Sequence, residues 1–105
     1  MSDDLNPDEC SRRLKALADP ERLRIVQCLQ QGEMSVGDVA LALDAEIANV
    51  SHHLGVLRNA KLVVDRREGK YIYYSLHPDV FRPGTKAKKP AVLDLGCCKL
   101  ELARP

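Results

Sequence analysis

Tryptophan is absent from this 105-residue chain and phenylalanine occurs once, so whatever core it builds is aliphatic. No apolar run approaches the ~20 residues of a membrane-spanning helix. Met1 is followed by the acidic Ser2-Asp3-Asp4 with no apolar stretch behind it, unlike a secretory leader. The expectation is a soluble, cytoplasmic protein with no membrane partner, in a compartment that keeps thiols reduced. Cys-x-x-Cys, a glycine-rich phosphate loop and a catalytic carboxylate pair are also missing. Their absence argues against an enzyme. No internal repeat is visible, and the length fits one domain that a shared dimer core would help to stabilise.

A dominant charge is lacking too, since the net is +1. Its distribution is uneven: residues 1–45 hold nine acidic and five basic side chains, while residues 46–105 hold six acidic and eleven basic ones. That asymmetry fits one face turned toward a polyanion, and equally a solvated surface with uneven charge.

What is present reads as a series of punctuated helices. Asn6-Pro7 and Asp19-Pro20 each combine a capping side chain with proline at the first helical position. They predict a helix from Pro7 to Ala18, with Leu14, Leu17 and Ala18 as its stripe, and a second burying Leu23, Ile25, Val26 and Leu29 before Gly32. Ser35-Val36-Gly37-Asp38 has the form of a capping box and opens a short helix from Val36 to Leu43. After a tight break at Leu43-Asp44-Ala45, a fourth helix runs from Glu46 to Asn59 with Val50, Leu54 and Leu57 on one face. Leu62–Arg67 and Lys70–Leu76 are rich in Val, Ile and Tyr and flank Glu68-Gly69, the pattern of a β-hairpin. Two helices with a tight break followed by a hairpin give a mainly α fold with a β-hairpin wing, a winged helix-turn-helix.

Residues 1–77 make that domain, and residues 78–105 a C-terminal tail. Pro78, Pro83 and Pro90 punctuate the tail, Pro83-Gly84 predicts a turn, and Thr85 to Lys89 reads as a basic linker. Leu93/Leu95 and Leu100/Leu102 alternate with charged residues, so the tail is expected to be irregular or short-stranded. A body this small is not expected to bury Leu5, Leu14, Leu93, Leu95, Leu100 and Leu102 alone, so the first helix and the tail are expected to form a dimer interface.

A helix that enters the major groove needs short polar side chains near its N-terminus and an apolar back. Residues 46–58 have both. Asn49, Ser51 and His52 are candidates for base edges or phosphates, joined by Arg58. Arg66, Arg67, Lys70 and Tyr71 on the hairpin are placed for the DNA backbone or an adjacent minor groove. An ordinary amphipathic surface helix is the rival reading of residues 46–58, and the basic hairpin weighs against it. His52 and His53 point about 100° apart on a helix and do not readily share one metal, so His53 is expected at the edge of the core.

Three blocks carry a resemblance. Leu17-Ala18-Asp19-Pro20-Glu21-Arg22-Leu23-Arg24-Ile25, Val50-Ser51-His52-His53-Leu54-Gly55-Val56-Leu57-Arg58 and Arg66-Arg67-Glu68-Gly69-Lys70-Tyr71-Ile72-Tyr73-Tyr74-Ser75-Leu76 resemble, in order, the second helix, recognition helix and wing of ArsR-type metal-sensing repressors. The match covers about residues 10–77. It implies a homodimer joined through its terminal helices, operator DNA as partner, and repression released by a metal, metalloid or thiol-reactive signal. Departures stand beside it. Where many family members have Cys-Val-Cys, this chain has Ser35-Val36-Gly37, and Pro83 and Pro90 break the region of the family's zinc-binding final helix. Glu46 and Ile47 replace small polar residues, and Gly55 weakens the recognition helix by roughly 1 kcal/mol relative to Ala.

The four cysteines are Cys10, Cys28, Cys97 and Cys98. Cys28 reads as a small apolar filler. Cys97-Cys98 reads as a sensor, through either a thiophilic ion of the arsenite or cadmium class or a strained vicinal disulfide. Cys10 is the candidate third sulfur. The rival functions are a small thiol redox enzyme using Cys97-Cys98 and a winged helix used only for protein contacts.

Overall fold

The computed structural model describes residues 6–85 and 89–104. Leu5, expected at a subunit interface, and residues 86–88 of the basic linker lie outside them. The elements in chain order are α1 (Pro7–Leu17), α2 (Pro20–Leu29), β1 (Met34–Ser35), α3 (Val36–Leu43), α4 (Ile47–Asn59), β2 (Val63–Glu68), β3 (Tyr71–Leu76), β4 (Phe81–Arg82), β5 (Ala91–Asp94) and β6 (Lys99–Leu102).

Helix starts follow the capping chemistry. The Asn6 side chain accepts from the amides of Asp8 and Glu9 at 3.1 and 3.2 Å, Asp19 from that of Arg22 at 3.0 Å, and Ser35 from that of Asp38 at 3.1 Å. The Arg22 amide bond is the main reason the Asp19 carboxyl sits below its ordinary pKa. Helix α3 ends where Asp44 turns left-handed (φ 52°) and Ala45 donates to the Ala40 carbonyl at 2.9 Å. Two residues later α4 begins.

Ile25, Val26, Leu29, Val39, Val50, Leu54, Leu57, Leu62 and Val63 form the centre of the core. Three expected members are not in it. Leu23 and Leu14 are 45% and 41% exposed, and Ala18, which follows the last residue of α1, is exposed too. The buried face of α2 is set by Ile25, Val26 and Leu29, and Leu23 lies about 200° around the helix from Ile25.

The wing is a three-stranded antiparallel sheet in the order β1-β3-β2. Its hairpin closes through Gly69-Lys70, and Gly69 takes φ 60°, the positive value this two-residue loop requires at its first position. The short β1, which pairs Met34 with Tyr74, has no counterpart in the sequence expectation.

The tail is short-stranded, a second antiparallel sheet in the order β4-β5-β6. It does not stand apart: Val80, Leu93 and Leu95 are fully buried in the same cluster as Cys10 of α1 and the helical core. The boundary expected after residue 77 is therefore no boundary of the core. Leu93 and Leu95, expected to need a second subunit for burial, are covered within one chain, while Leu100 and Leu102 are half-buried. Gly84 lets this happen, because a Cβ there would sit within 3.0 Å of the backbone of Lys89–Ala91. Among the described residues no helix is long and apolar enough to cross a membrane.

Candidate nucleic-acid interface and thiol cluster

Helix α4 separates its two faces cleanly. Val50, Leu54 and Leu57 are fully buried, while Asn49, Ser51, His52 and Arg58 are exposed. Asn49 and Ser51 have no side-chain hydrogen-bond partner among the described residues, so their polar atoms are free for another molecule. His53 lies between α4 and the start of α2, its Nδ1 3.1 Å from Arg22 Nη1 and 4.0 Å from Asp19 Oδ2. It belongs at the edge of the core, as its position on the helix implied.

The wing cations divide into held and unheld. Arg58 pairs with Asp65 of β2 at 3.2 Å, tying the exposed end of α4 to the wing. Arg66 is held by Glu33 at 2.7 Å and Glu68 at 2.6 Å, with its guanidinium 4.9 Å from the centre of the Tyr73 ring. These contacts raise the Arg66 pKa and lower that of Glu33, chiefly through the hydrogen bonds they share. Arg67 has no carboxylate partner among the described residues. Lys70 Nζ lies 5.6 Å from the centre of the exposed Tyr71 ring.

Ile47 stands out in the sequence as a departure from the family pattern, but its exposure together with Leu41 was not anticipated. Leu41 is 83% and Ile47 61% exposed, flanking the break between α3 and α4. Only the off-stripe position of Leu41 could have signalled it. An exposed apolar side chain is chemically suited to a thymine methyl, as the Asn49 amide is to an adenine edge. Glu33 and Arg13 also escaped notice, since their roles depend on partners distant in sequence.

The thiols assemble at the other side of α1. Cys10 is buried in the first half of the helix, and Cys97 and Cys98 sit on the β5–β6 turn, where Gly96 takes φ 95°. Arg13 clasps the two parts together, donating to the Leu95 carbonyl at 3.1 Å and pairing with Glu9 at 3.1 Å. The sulfurs of Cys10, Cys97 and Cys98 all lie within 4.8 Å of one another. A disulfide joins Cys10 to Cys97, with Cα atoms 6.0 Å apart, and leaves Cys98 a half-buried free thiol. The vicinal Cys97–Cys98 bond is thus not the one formed. Neighbouring Cα atoms at ~3.8 Å fall short of the ~4.4–6.8 Å that disulfides span, whereas the Cys10–Cys97 separation lies within it. With that bond reduced, three soft sulfurs converge, a donor set fitted to thiophilic ions and not to hard, oxygen-seeking ones. Cys28 stands apart, 3.4 Å from the Met34 sulfur, its thiol pKa raised by burial.

Known proteins share the first of these two constructions. A family profile described as a helix-turn-helix domain matches residues 17–66. The transcriptional repressor SdpR of Bacillus subtilis is 40% identical over 68 residues, 65% of this chain and 76% of that protein. The arsenical resistance operon repressor of Escherichia coli is 43% identical over 67 residues, 63% of this chain and 57% of that protein. Among solved structures, a homodimeric winged helix-turn-helix DNA-binding domain from Mycobacterium bovis, a possible ArsR-family transcriptional regulator, superposes with a TM-score of 0.66 at 38% identity. That superposition covers 69% of this chain and 67% of the other.

Proposed function

This chain belongs to the ArsR/SmtB family of winged helix-turn-helix transcriptional repressors, and on that footing we propose that it represses transcription as a homodimer on operator DNA. The family is one of DNA-binding regulators, not enzymes, so the thiol redox enzyme reading falls away. The observation that carries the proposal is the exposed face of α4, where Asn49, Ser51 and His52 stand over a fully buried back. Two such helices, one per subunit, enter successive major grooves of a roughly palindromic site, and the wings follow the backbone. Arg67, Lys70 and Tyr71 provide the wing contacts, with Arg58 and Arg66 beside them.

The signal we propose is a thiophilic metal or metalloid of the arsenite or cadmium class, or a thiol oxidant, acting at Cys10, Cys97 and Cys98. The Escherichia coli relative is named for arsenical resistance, but the start of α3 in this chain, capped by Ser35 and opening on Val36-Gly37, offers no sulfur. The tail cluster does. A thiophilic ion takes the reduced site and releases the thiol protons. An oxidant instead accepts two electrons as Cys10 and Cys97 lose two protons and form their bond. Either event weakens DNA binding only as far as the ligated or oxidised form favours a dimer geometry that cannot span both half-sites.

Duplex titrations with a genomic library at several salt concentrations test the first part. Selective, salt-sensitive binding is expected, and no duplex preference at low salt overturns it, leaving the protein-contact reading. The second part is tested with Cys97→Ser/Cys98→Ser in the presence of arsenite, cadmium and hydrogen peroxide. The double variant should stay on DNA where the wild type leaves it by roughly 5–150-fold in affinity. Release equal to wild type would remove the tail from the sensing mechanism.

A further inference from the structure

Strand β6 forms one edge of the tail sheet, and the backbone alternation shows which of its groups face outward. Asp94 donates to the Val80 carbonyl at 2.8 Å, on the β4 side, while Leu95 donates to the Cys98 carbonyl at 2.9 Å, on the β6 side. The register pairs Leu93 with Leu100, Ala91 with Leu102, Asp94 with Lys99 and Val92 with Glu101. In an antiparallel ladder bonded and non-bonded pairs alternate. Residues 98, 100 and 102 therefore bond inward to β5, and Lys99 and Glu101 turn their N–H and C=O groups outward. Both residues are exposed, and no partner for those four groups occurs among the described residues.

We propose that two copies of the chain join through this edge, β6 against β6 in antiparallel, about a two-fold axis at Leu100. The proposal rests on the homodimer reading above and names its surface. In this register Lys99 lies opposite the partner's Glu101, and Glu101 opposite the partner's Lys99. Each pair exchanges two backbone hydrogen bonds and sets opposite charges side by side. Sliding either way by two residues, the next step that matches outward groups, puts Lys99 opposite Lys99 or Glu101 opposite Glu101. Charge thus selects one register of the three. The same register brings Leu100 against Leu100 across the axis and Cys98 against the partner's Leu102. The half-buried faces of the two tail sheets run on as one six-stranded surface, and the free thiol of the cluster sits at the subunit boundary. Edges left open invite such pairing, and only strands follow β3 in residues 78–85 and 89–104.

Sedimentation equilibrium on the full chain tests the proposal. Glu101→Lys, which faces lysine with lysine twice, is expected to raise the dimer Kd about tenfold. Lys99→Glu/Glu101→Lys restores the opposite pairs and should return Kd to within about threefold of wild type. Glu101→Pro deletes an outward N–H while leaving the β5–β6 bonds in place, so the dimer should be lost with the melting temperature of the fold retained. Should the proline unfold the tail, the charge exchange decides. A wild-type dimer whose Kd none of these changes moves would overturn the edge pairing and leave the homodimer standing. A monomeric wild type would overturn both.

Discussion

Arg66 and Glu33 form a two-pronged pair, Nη2 to Oε1 at 2.7 Å and Nε to Oε2 at 3.1 Å, which fastens β2 of the wing to the residue ahead of β1. With Glu68 on its far side at 2.6 Å, the Arg66 guanidinium already has two carboxylates to satisfy. Its charge is therefore less available to a phosphate than its position in the sequence implied, and it sets the attitude of the hairpin instead.

The cations of the wing should consequently differ in a salt titration of duplex binding. Arg67→Ala and Lys70→Ala are each expected to weaken binding to all duplexes and to flatten the salt slope by about one phosphate contact. Arg66→Ala should flatten it less. Equal slopes for Arg66→Ala and Arg67→Ala would show that DNA displaces the carboxylates.

Acid should loosen the same pair. The Glu33 carboxyl titrates below its ordinary value because of the Arg66 hydrogen bonds. A depressed folded pKa means the pair's stabilisation is fully present above the unfolded value near ~4.3 and is lost as pH falls through the folded one. Urea midpoints measured from about pH 6 down to about pH 3 should fall further for wild type than for Glu33→Gln. A Glu33→Gln variant as acid-sensitive as wild type would assign the pH dependence elsewhere.

Base reading should reside on α4. Asn49→Ala or His52→Ala is expected to cost about 1–3 kcal/mol of discrimination between the best site and its single-base variants, with weak binding to unrelated DNA nearly unchanged. A uniform loss across all sequences would make these residues backbone contacts.

The tail should behave as core. Leu93→Ala or Leu95→Ala is expected to destabilise the chain by about 2–5 kcal/mol in urea unfolding. Truncation after Leu76 should then yield an unfolded or molten chain. A folded monomer from that truncation would show that the helices and wing close their core unaided.

The helices and the wing were legible in the sequence because their signals are local. Asn6-Pro7, Asp19-Pro20 and Ser35 cap within three residues of themselves, Val50, Leu54 and Leu57 keep helical spacing, and Gly69 marks its own turn. The rest depends on partners far along the chain. The β1 pairing of Met34 with Tyr74, the clasp from Arg13 to Leu95 and the link from Cys10 to Cys97 span from 40 to 87 residues. Short strands such as β4 leave almost no periodicity to read. Chemistry in the sequence put Cys10 with the Cys97-Cys98 pair and offered either a bound ion or a vicinal disulfide. Of the two, the disulfide named Cys97 and Cys98, whereas the structure joins Cys10 to Cys97, because adjacency in sequence is a poor guide to reach.

Helix α1 packs against both α2 and α4, and it also provides Cys10. It is an 11-residue rod, about 16 Å long, with sulfur chemistry near one end and the recognition helix along its flank. A rod of that length turns a shift of ~1 Å at the sulfurs into a tilt of about 4°. Hydrogen bonds to bases fail over a few tenths of an ångström. So small a lever stroke, repeated in a second subunit, is already on the scale that separates a dimer in register with its two grooves from one that is not.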